Sequence, residues 1–314
     1  EYYQLFAFFN NIDEDGRAYK SGNTPPWIVA PTQSEFDRQT HLEQQIEVAS
    51  NDLAELEPEI SQAQSNWEES YLGTSHGKVA VTRALEAAFE FDGNLLDSAR
   101  QATSEEVQRT AGATSFTPGQ FGQALQFDGK TRIDLGTNIC NFSDDKRFSI
   151  SIWIKPTDAN GAVYAKLEDF ENLKNEGYEI QLRDGRLRVH LVEHWDDSAI
   201  RVETTQAVPL DHWTHVAITY DGMRRADGVQ VYFDGTPQTL TAEIDSLYQG
   251  FSNDSPVRIG QRHGEESAFR GALDELRIYR DVLTPAEIAL LAVPETIDAI
   301  LGVAVDDGQA RQAP

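Results

Sequence analysis

From about residue 80 to residue 280 the apolar residues recur at every second position, and this period excludes most folds open to such a chain. Ala87-Phe89-Phe91, Ile150-Ile152-Ile154, Ile180-Leu182, Leu187-Val189-Leu191, Val216-Ile218-Tyr220 and Val229-Val231-Phe233 alternate with polar residues. Side chains of a β-strand point alternately to opposite faces, so each run predicts a strand with one face buried. Asp128-Gly129, Asp184-Gly185 and Asp234-Gly235 each lie between two such runs. Asp and Gly tolerate the positive φ of a two-residue hairpin turn, so all three are expected to be hairpins. Many short strands with no helices between them predict a mainly β protein, an antiparallel sandwich or jelly roll of about 210 residues, placed at 80–293. Leu283-Thr284-Pro285-Ala286-Glu287-Ile288 puts Thr at an N-cap, Pro at the first helical position and Glu at the third, so one short helix should close the domain. Residues 294–314 read as a linker or the start of a further domain.

The period changes upstream. Residues 1–33 hold an aromatic run (Tyr2, Tyr3, Phe6, Phe8, Phe9) and the loop Gly22-Asn23-Thr24-Pro25-Pro26-Trp27, which suits the end of a preceding domain or a linker. Thr32-Gln33-Ser34-Glu35 has the spacing of a capping box, predicting a helix over 34–72. Within it Leu42, Ile46, Ala49, Leu53, Leu56, Ile60, Ala63 and Trp67 recur at spacings of four and three, a heptad seam. Pro58 is expected to kink or split the helix. The seam suits a coiled-coil spacer, an oligomerisation helix, or a helix packed within its own chain. Ten acids and one Arg between Ser34 and Leu72 would repel an identical helix, which favours the last. Gly73-Thr74-Ser75-His76-Gly77 matches G-x-S-x-G but has a helix before it and strands after it, the reverse of a nucleophile elbow, so it reads as a connector.

The 314 residues carry 26 Lys and Arg against 52 Asp and Glu, a formal charge of −26. Such a field repels nucleic acid and anionic lipid headgroups and leaves cations and neutral ligands as plausible partners. No apolar run approaches the ~20 residues of a membrane span, so no membrane insertion is expected. Cys140, the single cysteine, has no internal disulfide partner. The start at Glu1, inside an aromatic run, suggests a piece of a longer polypeptide whose flanking domains are its first expected partners.

The stretches FEFDGNLLDSA, GQALQFDGKTRIDLG, FSISIWIKP, HWTHVAITYDG, VQVYFDGTPQ and GALDELRIYRDVLTPAEIALL, in this order, resemble a laminin G-like, concanavalin A-like jelly roll over Ala87 to Ala292. More loosely, EYYQLFAFFNN and the acidic helix resemble the segment that precedes such a domain in large planctomycete proteins carrying cytochrome c domains. The haem motif C-x-x-C-H is absent, so no haem is expected. The jelly-roll resemblance implies neighbouring first and last strands with a structural Ca²⁺ between them. Asp92 and Asp274 are its expected side-chain ligands, with Asn94 and Asp97 as further candidates, because Ca²⁺ takes six to eight oxygens in loose geometry. The competing reading makes Asp92-Gly93-Asn94 a turn and Asp274 an acceptor of backbone N–H groups.

Retaining glycosidases of this fold carry E-x-D-x-E on one strand. Here the nearest stretch, Glu243-Ile244-Asp245-Ser246-Leu247, lacks the second Glu, so no enzyme is expected. His190 with His194, or His212 with His215, would share a face on a helix, but on a strand the first pair lies about 13 Å apart and the second points to opposite faces, so neither pair is expected to chelate a metal. For ligand binding the candidates are His194, Trp195 and Asp196 in one polar loop and Arg262 and His263 in another, a flat aromatic face beside groups able to bond sugar hydroxyls. The reading is therefore a non-catalytic glycan-binding or adhesion module, extracytoplasmic by resemblance, against a structural spacer or protein-interaction module.

Overall fold

The computed structural model describes residues 32–71, 80–100, 108–111, 113–168, 176–194, 197–262 and 268–296. The expectations for 1–31, for the 73–77 connector, for Trp195, Asp196 and His263, and for the tail beyond 296 lie outside these residues. Two compact units divide the chain near Gly73.

The described residues of the first unit form the helix α1 (Gln33–Tyr71). Its capping box forms as expected: the Thr32 amide donates to Glu35 Oε2 at 2.5 Å and the Glu35 amide to Thr32 Oγ1 at 3.4 Å. The Thr32 amide, and after it the Thr32 hydroxyl, both donating to Glu35 Oε2, hold the Glu35 carboxyl below its ordinary pKa. The helix runs unbroken through Pro58, contrary to the expected split. Proline removes one N–H donor there, and Glu55, Glu57 and Glu59 around it are good helix formers. Leu42, Ile46, Leu53, Leu56 and Ile60 of the seam are exposed, not covered. Trp67 falls outside the described side chains.

The second unit is built from strands. In chain order they are β1 (Leu85–Phe89), β2 (Gln108–Ala111), β3 (Ser115–Pro118), β4 (Gln123–Asp128), β5 (Arg132–Asp134), β6 (Phe148–Pro156), β7 (Gly161–Leu167) and β8 (Gly177–Arg183). There follow β9 (Arg186–His194), β10 (Ser198–Ala207), β11 (Thr214–Tyr220), β12 (Val229–Phe233), β13 (Thr236–Pro237), β14 (Leu240–Asp245), β15 (Arg258–Ile259), β16 (Arg270–Tyr279) and a closing helix, α2 (Pro285–Leu291). They form two antiparallel sheets. One runs β13-β12-β11-β6-β16-β4-β3 with β1 also paired to β16; the other runs β14-β10-β9-β8-β7-β15-β5-β2.

The alternation explains the packing. Ile150, Ile152, Ile154, Val216 and Ile218 from the first sheet meet Ile180, Leu182, Leu187, Val189 and Leu191 from the second in one buried core. Full burial of each such side chain is worth roughly 1.5–3 kcal/mol. A smaller cluster on the far side of the first sheet joins Ala217, Tyr232 and Tyr279 to Leu283, Ile288 and Leu291, so α2 lies against that face. Thr284 and Glu287 form the expected capping box.

One of the three expected hairpins needs correction. Asp184-Gly185 and Asp234-Gly235 close the hairpins β8–β9 and β12–β13, with all four residues at positive φ. Asp128-Gly129 does not close a hairpin, because β4 belongs to one sheet and β5 to the other. Asp128 Oδ1 instead accepts the amides of Lys130 and Thr131, turning the chain across the core edge. Asp274 belongs to a strand. It lies inside β16, where the register to β6 shifts between Asp274 and Arg277 and Glu275 adopts φ +54°, the geometry of a β-bulge.

Candidate functional site: a charged sheet face and a carboxylate corner

The first and last strands are neighbours: Phe89 of β1 pairs with Leu276 of β16. This pairing brings Asp92, just beyond β1, and Asp274, on β16, to one turn at residues 119–123. Asp92 Oδ1 accepts the Gln123 amide at 2.7 Å, and Asp274 Oδ2 accepts the Phe121 amide at 3.0 Å. Asp274 is fully buried and Asp92 exposed. Asn94 and Asp97 are drawn elsewhere. Asn94 bonds Asp92 O and the Leu96 amide, while Asp97 Oδ1 accepts the amides of Ala88 and Ala99. Asp97 Oδ2 faces Arg100 at 3.7 Å. Among the described residues no three His, Cys, Asp or Glu side chains gather into a group able to hold a metal ion. A cation at this corner would therefore rest on Asp92, Asp274 and backbone carbonyls.

The richer chemistry is on the second sheet, on the face turned away from the core. Because Leu187, Val189 and Leu191 of β9 point inward, Arg188 and His190 point outward, and register carries the same face onto β8 and β10. Glu179 pairs with His190 and His190 with Arg201, one row across three strands. Gln181 pairs with Arg188 and Arg188 with Glu203, the next row. Directly opposed side chains of this kind lie within contact range.

The rows are tied by charge. Arg188 Nη2 reaches Glu203 Oε2 at 3.0 Å and Glu243 Oε1 of β14 at 2.7 Å. Arg262 Nη1 donates to both Glu179 oxygens at 3.2 and 3.3 Å, and His190 Nδ1 lies 3.6 Å from Glu179 Oε1. Glu179 is fully buried. Burial pushes its pKa up, but the His190 imidazole and the Arg262 charge outweigh this and hold it below the usual carboxylate range. It is an ionised acceptor, the opposite of a general acid, whose pKa must be raised.

Arg262 thus stands on this face as an anchor of Glu179. His194 is the last residue of β9, about half exposed, with Nδ1 at 3.3 Å from Asp197 Oδ2. His215 is packed within β11, as its strand position implied, and bonds Ser151 Oγ through Nε2 at 2.8 Å. Glu179, Arg188, His190, Arg201, Glu203 and Glu243 were not singled out from the sequence as a binding surface. The available signal was charge at the outward positions of strands that lie inside a sheet.

A profile of the concanavalin A-like lectin/glucanases superfamily, laminin G type, matches residues 127–289. Adhesion G-protein coupled receptor V1 of Danio rerio is 26% identical over 149 residues, 45% of this chain and 2% of that protein. Adhesion G-protein coupled receptor D1 of Homo sapiens is 32% identical over 117 residues, 36% of this chain and 13% of that protein. The chain therefore spans only a small part of either relative. Among solved structures, the binding domain of Paraclostridial Mosquitocidal Protein 1 superposes with TM-score 0.51 at 21% identity, over 67% of this chain and 51% of that one. Domain 4 of AbnA, a GH43 extracellular arabinanase from Geobacillus stearothermophilus in complex with arabinotriose, gives 0.49 at 21% identity, over 69% and 100%. At these identities the first likeness bears on the fold alone. No described helix is long and apolar enough to cross a membrane.

Proposed function

This chain belongs to the concanavalin A-like lectin/glucanases superfamily, and from that premise we propose that it is a non-catalytic carbohydrate-binding or adhesion module of a larger, extracytoplasmic protein. The observation that carries the reading is the face of β8, β9 and β10 turned away from the core, where the partly exposed Gln181, Arg201 and Glu203 are fixed in two cross-strand rows by the buried Glu179, Arg188 and His190. Fixed donors and acceptors recognise hydroxyl-rich ligands with little loss of side-chain entropy. The same face speaks against hydrolysis, since its buried carboxylate is ionised and held by Arg262. His194, Trp195, Asp196, Arg262 and His263 would form the rim from which a sugar meets this face. The relatives among adhesion receptors support an extracellular binding role.

A glycan array tests the proposal, with His194→Ala and Trp195→Ala run beside the parent and their melting temperatures checked. Saturable binding to a defined glycan, weakened about tenfold or more in either variant at unchanged stability, is expected. Failure to bind any glycan sinks the carbohydrate reading, and equal binding by both variants removes the site from the rim of the β8–β10 face. The exposed seam of α1 favours a second reading, a spacer or protein-interaction module, which a null array would leave standing.

A structural Ca²⁺ at the corner of Asp92 and Asp274 belongs to the same proposal. Its support is the convergence of both carboxylates on one turn, an oxygen-donor pair of the kind Ca²⁺ takes.

A further inference from the structure

A pocket of about 510 Å³ opens between the loop at residues 138–147 and the chain around β16, at the end of the domain where Glu86 and Arg280 meet. Its size falls in the range of small-molecule sites. Three acids line it, and each is already engaged by a cation. Glu86, nearly buried, accepts the Cys140 amide at 2.9 Å and an Arg280 Nη2 bond at 3.1 Å, with Arg100 at 3.6 Å behind. Asp145 pairs with Lys146 at 2.9 Å. Asp281 pairs with Arg83 at 2.7 Å and accepts the Val282 amide.

One lining cation is left over. The side chain of Arg147 is exposed and makes no hydrogen bond or ion pair with any described residue. Asn141, which also lines the pocket, is likewise exposed and makes no hydrogen bond with any described residue, and the largely buried Phe142 adds an apolar part of the lining. A free guanidinium is a planar fork matched to a carboxylate, an amide offers both a donor and an acceptor to hydroxyls, and an aromatic edge suits a sugar's C–H surface.

We infer that this pocket binds a carboxylate-bearing sugar of about monosaccharide size, its carboxylate on Arg147 and its hydroxyls toward Asn141. The net charge of −26 sharpens the selection. A long polyanion is repelled by the whole surface, whereas a single carboxylate meets an unneutralised cation at short range. The pocket shares no residue with the β8–β10 face, so the inference does not rest on the function proposed there.

Titration calorimetry of the full chain against glucuronate, glucose and acetate in parallel decides it. Glucuronate should bind saturably, about tenfold or more tighter than either glucose or acetate. Arg147→Ala should weaken it about tenfold and Asn141→Ala by less, both without a change in melting temperature, since neither side chain has a hydrogen-bond or ion-pair partner among the described residues. Equal affinity for glucose removes the carboxylate from the argument, and equal affinity for acetate reduces the site to a bare anion contact. Glucuronate binding unaltered by Arg147→Ala, or absent up to tens of millimolar, overturns the inference outright.

Discussion

His215 is buried on the face of β11 that points away from the core, beside Trp153 at a ring separation of 5.3 Å and bonded to Ser151. Burial first, and then the Arg277 charge, lower its pKa from 6.5 to about 3. The folded state therefore keeps the imidazole neutral through a range in which the unfolded chain protonates it. The stability associated with that neutral ring is complete above pH 6.5, declines as pH falls from 6.5 towards 3, and changes no further below. Glu287 adds a separate, later loss, because bonds from Arg83 and the Thr284 amide lower its pKa to about 2. Denaturant melts at successive pH values should show stability falling below pH 6.5 by up to ~1.4 kcal/mol per unit from this residue. In His215→Leu that part of the slope should vanish whatever the offset. A slope unchanged in the variant would mean the imidazole is not held neutral.

Asp274 gives a second test at this scale. If Asp92 and Asp274 hold Ca²⁺, excess Ca²⁺ raises the melting temperature by mass action and a chelator reverses it. Asp274→Asn should remove that difference. Equal melting of the parent with Ca²⁺ and with chelator refutes the metal and leaves both carboxylates as acceptors of turn amides. Position in a strand was legible for His215 because alternation fixes the face. That Asp274 accepts a backbone N–H was one of the two readings of the sequence, but which amides Asp92 and Asp274 meet was not legible, because it depends on the 119–123 turn, remote from both in sequence.

At the scale of the element, the hairpins show why one Asp-Gly turn resembles another in sequence and behaves differently in the fold. Gly185 has φ +79°, and a Cβ there would meet Ala207 Cβ at 3.4 Å, an ordinary contact. Gly260 has φ +83°, and a Cβ there would lie 2.0 Å from Phe127 Cε1, inside the core. Gly185→Ala should therefore cost only the backbone preference, about 1 kcal/mol. Gly260→Ala adds a displacement of a buried aromatic ring, typically ~1–3 kcal/mol more. Thermal denaturation of the two variants should rank Gly260→Ala clearly below Gly185→Ala, and a reversed order would contradict the packing at Phe127. Turn chemistry was readable for β8–β9 and β12–β13 because both strands of each hairpin flank their turn. Asp128-Gly129 carries the same dipeptide but joins two sheets, a distinction set by which strand β4 pairs with. Likewise Pro58 does not split its helix, because one missing donor does not end a 39-residue helix.

For the whole molecule the governing fact is that β1 and β16 close the first sheet together, so the beginning and end of the sandwich are held side by side. Arg83 reinforces this closure. It bonds Asp281, the Val282 carbonyl and Glu287, fastening the entry into β1 to the start of α2. The two sheets share one continuous core, and every pairing among the named strands is antiparallel and contained within residues 85–279. The sandwich architecture was legible because alternation, turn residues and the α2 capping box all pointed one way. The charged face of β8–β10 was not, since outward polar residues look the same in sequence whether they face water or one another. A domain closed by its own terminal strands needs nothing upstream of β1 to complete a sheet. A chain beginning at residue 80 should consequently melt in a single cooperative transition, with calorimetric and van't Hoff enthalpies equal. Its pH profile should retain the His215 slope, which belongs to the sandwich alone. A broad, non-cooperative transition in the truncated chain would show that residues 1–79 are part of the folding unit and would move the domain boundary upstream of β1.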